Sequence, residues 1–75
     1  MTGKLREPVE LTPLQQDHLQ RCINLQDHYG EPYPARTPEV VEIMEQLFQY
    51  GYVAHTRYQR EDAYYATQAG RNKLR

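Results

Sequence analysis

A small α+β domain, with two main helices, one β-hairpin and a short C-terminal helix, is what three local patterns in this 75-residue sequence predict. The first is Thr37-Pro38 leading into Glu39-Val40-Val41-Glu42-Ile43-Met44-Glu45-Gln46-Leu47-Phe48-Gln49-Tyr50 and stopping at Gly51. A threonine hydroxyl can accept from free backbone N–H groups at a helix start, and proline is preset for the first helical position. Glycine can adopt the left-handed conformation that ends a helix. The second pattern is a pair of β-favouring runs, residues 52 to 58 and 63 to 67, on either side of the polar Gln59-Arg60-Glu61-Asp62. The third is another threonine-proline start, Thr12-Pro13, opening an earlier helix.

Taken in order, residues 1 to 10 mix Gly3, Pro8 and charges with few apolar anchors, which predicts a loosely held tail before a domain at 11 to 75. Leu11 serves as a staple before the Thr12 cap, and the first helix should reach about Asp27. At about 100° per residue, Leu11, Leu14, His18, Cys22, Leu25 and Tyr29 fall on one stripe with Leu19 at its flank, so that stripe should face the core. Residues 28 to 36 carry Gly30, Pro32 and Pro34 and read as a stiff extended connection. Within it, Tyr33 either packs back on the helices or stands out as an anchor for a partner.

The second helix carries Val40, Val41, Ile43, Met44, Leu47 and Phe48 over an arc wider than a small core needs. Part of that arc, Val41, Met44 and Phe48, is therefore expected against a second copy, as in a homodimer, or against another protein. Its opposite face is Glu42, Glu45, Gln46 and Gln49, with Glu39 just before. The hairpin lacks an Asn-Gly or Asp-Gly, so its loop should be four residues or longer, and its inward register stays open between Val53 and Ala54 and between Tyr64 and Tyr65. Thr67 should cap a last helix whose Leu74 packs against the first.

Nine basic residues face ten acidic ones, a net charge of −1, but they are unevenly placed. Residues 1 to 50 hold four basic and eight acidic side chains; residues 51 to 75 hold five basic and two acidic. The hairpin end is the basic end. One cysteine, Cys22, cannot close an internal disulfide, and no signal-like leader or run of about 20 apolar residues is present, which predicts a cytoplasmic protein without a membrane span.

Catalytic chemistry finds little support. His18 and Cys22 have the one-turn spacing of metal ligands, yet neither His28 nor His55 completes a recognisable zinc pattern, so both read as packing residues. A buried thiol without a basic neighbour keeps a high pKa and stays inert. Glu61 and Asp62 read as solvated turn residues. No metal, cofactor or catalytic residue is expected.

The stretch Leu47-Phe48-Gln49-Tyr50-Gly51-Tyr52-Val53, the following hairpin, and Ala66-Thr67-Gln68-Ala69-Gly70-Arg71-Asn72-Lys73-Leu74 resemble the end of winged helix-turn-helix domains of the MarR and PadR type. The resemblance implies a recognition helix followed by a wing, and a module that usually binds duplex DNA. It covers residues 37 to 75. Two features depart from it. The helix that normally precedes the recognition helix is missing or reduced to a turn, and the helix in the recognition position exposes Glu39, Glu42 and Glu45.

Two functions follow. The favoured expectation is a DNA-binding transcriptional regulator that uses a basic wing, with His55, Arg57 and Arg60, joined by Arg71 and Lys73 and by Gln46 and Gln49, as the contact residues. The alternative is a protein-interaction module, an accessory or inhibitor protein docking through Glu42, Glu45, Tyr33 and Tyr58.

Overall fold

In the computed structural model, which describes residues 10 to 74, three helices and three strands follow in the order α1 (Pro13–Tyr29), β1 (Tyr33–Pro34), α2 (Pro38–Tyr50), β2 (Val53–Tyr58), β3 (Glu61–Ala66) and α3 (Gln68–Lys73). Apart from Glu10, the expected N-terminal tail lies outside the described residues. The fold is α+β, as expected, and the strands form one antiparallel sheet in the order β1-β3-β2.

Each helix begins on a threonine. Thr12 accepts from the Gln15 N–H while the Gln15 side chain accepts from the Thr12 N–H, a reciprocal capping box that satisfies two otherwise orphaned donors. Thr37 accepts from Val40 N–H at 3.2 Å, and Thr67 accepts from Gly70 N–H at 3.1 Å. Gly51 closes α2 with φ 88°, a left-handed conformation that a Cβ disfavours.

α1 runs one turn-half longer than expected, to Tyr29, and its buried face is differently phased. Gln15, Leu19, Cys22 and Ile23 point inward, whereas Leu14 and Tyr29 of the expected stripe are exposed, Tyr29 by 73%. Leu11 is buried, but from its place ahead of the helix, so it does not set the helical phase. A stripe phased from Leu11 is therefore rotated away from the true inward face. His18 sits at the core edge as expected, its Nδ1 2.9 Å from the Tyr33 hydroxyl.

The connection between the helices is extended, and it contributes β1, which places Tyr33 opposite Tyr64 and Pro34 opposite Ala63. Tyr33 is half-buried against the core. On β2 and β3 the register resolves the open alternative: Val53 and Tyr64 face inward at 2% and 3% exposure, while Tyr65 points out. The hairpin loop is two residues, Gln59 and Arg60, not four or more. Both adopt positive φ, 53° and 68°, as a type I′ turn requires even without Asn-Gly. Glu61 and Asp62 are accordingly strand residues with partners, Glu61 ion-paired to Arg36 and Asp62 in hydrogen-bond contact with His55, rather than free turn residues.

The core joins Leu19, Cys22 and Ile23 of α1 to Ile43, Met44 and Leu47 of α2 over Tyr52, Val53, Tyr64 and Ala66. Met44 is fully buried in it, so it is not part of an exposed patch for a second copy; of the expected trio only Val41 and Phe48 reach solvent, at 39% and 43%. The reason is positional: α2 touches α1 on one side and β2 on the other, and that takes up most of its wide apolar arc. Leu74 packs at the core margin and shares a shallow cavity with Pro13, Gln16, Asp17 and Gln20 of α1, as expected. No helix among the described residues is long and apolar enough to cross a membrane.

Candidate binding surfaces

The outward side of α2 forms a shallow, open surface. Pro38, Val41, Glu42, Glu45, Gln46 and Gln49 recur at helical spacing, and with Arg36 and Thr37 at the helix start they line an open groove of about 660 Å³. Glu39, Glu42 and Glu45 are exposed. Among the described residues, no lysine, arginine or histidine lies within ion-pair distance of these three carboxylates. Arg36, the one cation lining the groove among the described residues, is engaged elsewhere: it forms a two-pronged pair with Glu61 at 2.9 and 3.2 Å, which holds the start of α2 to β3. That guanidinium keeps the Glu61 carboxyl below its ordinary range.

Gln46 is only partly free to read a ligand, because its side-chain oxygen accepts from the Gln15 amide at 2.8 Å. This bond ties α2 to the capped start of α1. Gln49 lines the groove two turns beyond Glu42.

The residues expected to contact nucleic acid do not form one surface. Arg57 and Arg60 lie at the hairpin tip, where an Arg57 guanidinium nitrogen donates to the Arg60 carbonyl at 3.3 Å. His55 sits further down the hairpin, with Nε2 3.1 Å from an Asp62 oxygen and its ring edge-on to Tyr64 at 5.3 Å. Arg71 and Lys73 belong to α3, which starts at the opposite end of β3, about 20 Å from the tip for six strand residues. Arg71 grips Asp27 with two hydrogen bonds of 2.6 and 3.0 Å and so docks α3 on the end of α1. The bonds from Arg71 hold the Asp27 carboxyl below its usual range. Lys73 Nζ lies 6.0 Å from the Tyr52 ring centroid.

The alternative set is also divided. Glu42 and Glu45 share the α2 groove, but Tyr33 is held against α1 through His18, and Tyr58 stands near the hairpin tip. Tyr58 and Tyr65 flank a second, smaller cavity of about 350 Å³, with Pro32 and Thr56 on its wall and Gln26 and Gly30 at the end of α1 beside them.

Two glutamines with structural roles escaped the sequence reading. Gln15 is 8% exposed and links the two helices. Gln26 accepts from the Ala66 N–H at 3.0 Å, satisfying β3 backbone beyond the reach of the two-residue β1. The capping box is the one signal that marked Gln15; nothing local marked Gln26.

Cys22 is buried and donates to the Tyr64 carbonyl at 3.4 Å, and burial pushes its thiol up to about 11. It is poorly placed as a nucleophile at neutral pH. Among the described residues, no three His, Cys, Asp or Glu side chains are grouped to hold a metal ion.

The chain is an α+β domain of three helices and a three-stranded antiparallel sheet, with an acidic groove along α2. Compared with known families, with curated proteins and with solved structures, the chain gives no match.

Proposed function

We propose that this chain is a non-enzymatic, winged-helix-like binding module whose main contact surface is the outward face of α2, and that its partner is a protein. The observation that carries this reading is the α2 groove: exposed Val41 beside Glu42 and Glu45, with no cation paired to either carboxylate among the described residues. A helix with that face repels phosphates, while an apolar patch rimmed by one sign of charge favours a protein surface of the opposite sign. In a winged helix this is the position of the recognition helix, so the scaffold would be kept and its ligand exchanged.

The test is affinity capture from a cell extract with wild-type protein and with the Glu42→Lys/Glu45→Lys variant, far-UV circular dichroism confirming that both are folded. A protein retained by the wild type and lost by the variant supports the reading. Equal retention by both contradicts it.

A second reading, duplex DNA bound through the wing, has one specific observation in its favour. Arg60 occupies a left-handed backbone position at the tip that would suit glycine, at a conformational cost of about 1 kcal/mol. An arginine held there beside Arg57 puts two guanidinium groups at the most projecting point of the hairpin. Fluorescence anisotropy with a duplex of about 20 base pairs at roughly 50 and 200 mM salt separates the readings, since phosphate-driven binding weakens steeply with salt. Salt-sensitive binding abolished by Arg57→Ala/Arg60→Ala favours DNA; no binding at the lower salt removes it.

A further inference from the structure

We infer that the α2 groove takes an amphipathic helix from the partner protein, basic along one edge and apolar along the next. This rests on the α2 reading above and adds the form and charge of what binds there.

The backbone argument selects a helix. An extended peptide gains affinity by pairing its main chain with an exposed strand edge. The groove is instead the surface of a capped helix whose N–H and C=O groups are already bonded along its own axis, so an extended segment would lose its water contacts without finding main-chain partners. A helix brings its backbone already satisfied and needs side-chain contacts only. From Pro38 to Gln49 the groove follows α2 for about 17 Å, long enough for about three turns of a second helix.

Charge and apolar placement then set the sequence of that helix. Glu42 and Glu45 are neighbours across one turn, and covering them without a cation would bury unpaired carboxylates, which is costly. Val41 is 39% exposed and Phe48 43%, seven residues apart on the flank next to the acidic row. The occupant therefore places lysines or arginines over Glu42 and Glu45 and, on its adjoining edge, leucine-sized side chains over Val41 and Phe48. Antiparallel packing suits the two helix dipoles.

The experiment is an NMR titration of the full chain with a synthetic peptide of about 12 residues, carrying leucines on one helical face and lysines beside them. Two controls accompany it, one with the lysines replaced by glutamates and one with a central proline that breaks the helix. The expected result is amide shifts concentrated at Val41, Glu42, Glu45 and Gln49, and binding weakened roughly tenfold or more by Glu42→Gln/Glu45→Gln and by each control. Equal binding of the proline peptide, shifts centred on the hairpin, or indifference to the Glu42/Glu45 change would overturn the inference. If capture from extract still depends on Glu42 and Glu45 while this peptide fails, the α2 surface stands and only its helical occupant is rejected.

Discussion

The Thr67 hydroxyl donates to the Gly51 carbonyl at 2.7 Å, and the same oxygen accepts the Gly70 N–H at 3.1 Å. One side chain thus fastens the end of α2 to the start of α3, while the Thr67 N–H bonds the Tyr52 carbonyl at 3.0 Å. Gly70 is needed for the close approach this creates: a Cβ there would be driven into the Tyr52 carbonyl, which is backbone and cannot move aside.

Thr67→Val, nearly isosteric, should lower stability by about 1–2 kcal/mol, because it removes a helix cap and a part-buried hydrogen bond together. Gly70→Ala should cost about 1–3 kcal/mol through overpacking, although alanine favours helices. Urea denaturation followed by circular dichroism checks both, and a stabilised Gly70→Ala would refute the close contact.

Stability should fall at acid pH. The carboxyls of Asp27 and Glu61 are both held down by bonded arginines, Arg71 and Arg36. A depressed folded-state value means a contribution present in full above the unfolded value, about 4 for these groups, and lost as pH falls through the folded value. Thermal unfolding between about pH 6 and pH 2.5 should therefore show a falling midpoint, and Asp27→Asn should flatten the decline. A slope unchanged in that variant would mean that the Arg71 clamp contributes nothing.

The Cys22 thiol should resist alkylation at pH 8 in the folded protein and react at once in denaturant, since burial raises it to about 11. The same shift has an alkaline consequence. Its stabilising contribution is complete below the ordinary thiol value of about 8.5 and is lost as pH rises through the folded value. Mass spectrometry after timed alkylation gives a direct readout.

At the hairpin tip, Gln59→Asn/Arg60→Gly should raise stability by about 1 kcal/mol, because both positions have positive φ and the new pair suits that turn. The same change removes Arg60 from the tip. Unaltered partner capture by this variant would accord with α2 as the contact surface.

Much of this fold is legible in the sequence because caps and turns are local chemistry. Thr37, Pro38 and Gly51 delimit α2 without reference to anything distant, and Thr67 does the same for α3. The α1 phase was harder, since its inward face includes Gln15 and Gln26, which a hydrophobic pattern assigns to water, and Leu11 lies outside the helical period. Met44 could be placed only once α1 and β2 were known to flank α2. The candidate surfaces were partly legible for a similar reason. The acidic face of α2 is a local pattern, but the engagement of Arg71 depends on Asp27, 44 residues away, and that of Arg36 on Glu61, 25 residues away. Counting basic residues overstated the positive surface because those pairings are tertiary.

Whether α2 makes the contact can be read by site-specific photo-cross-linking in cells. A photoreactive residue is placed at Gln49, in the groove, or at Gln59, on the hairpin tip, both exposed. With α2 as the contact surface, position 49 gives a discrete protein adduct that disappears in the Glu42→Lys/Glu45→Lys background. An adduct to nucleic acid from position 59, with none from position 49, would contradict it.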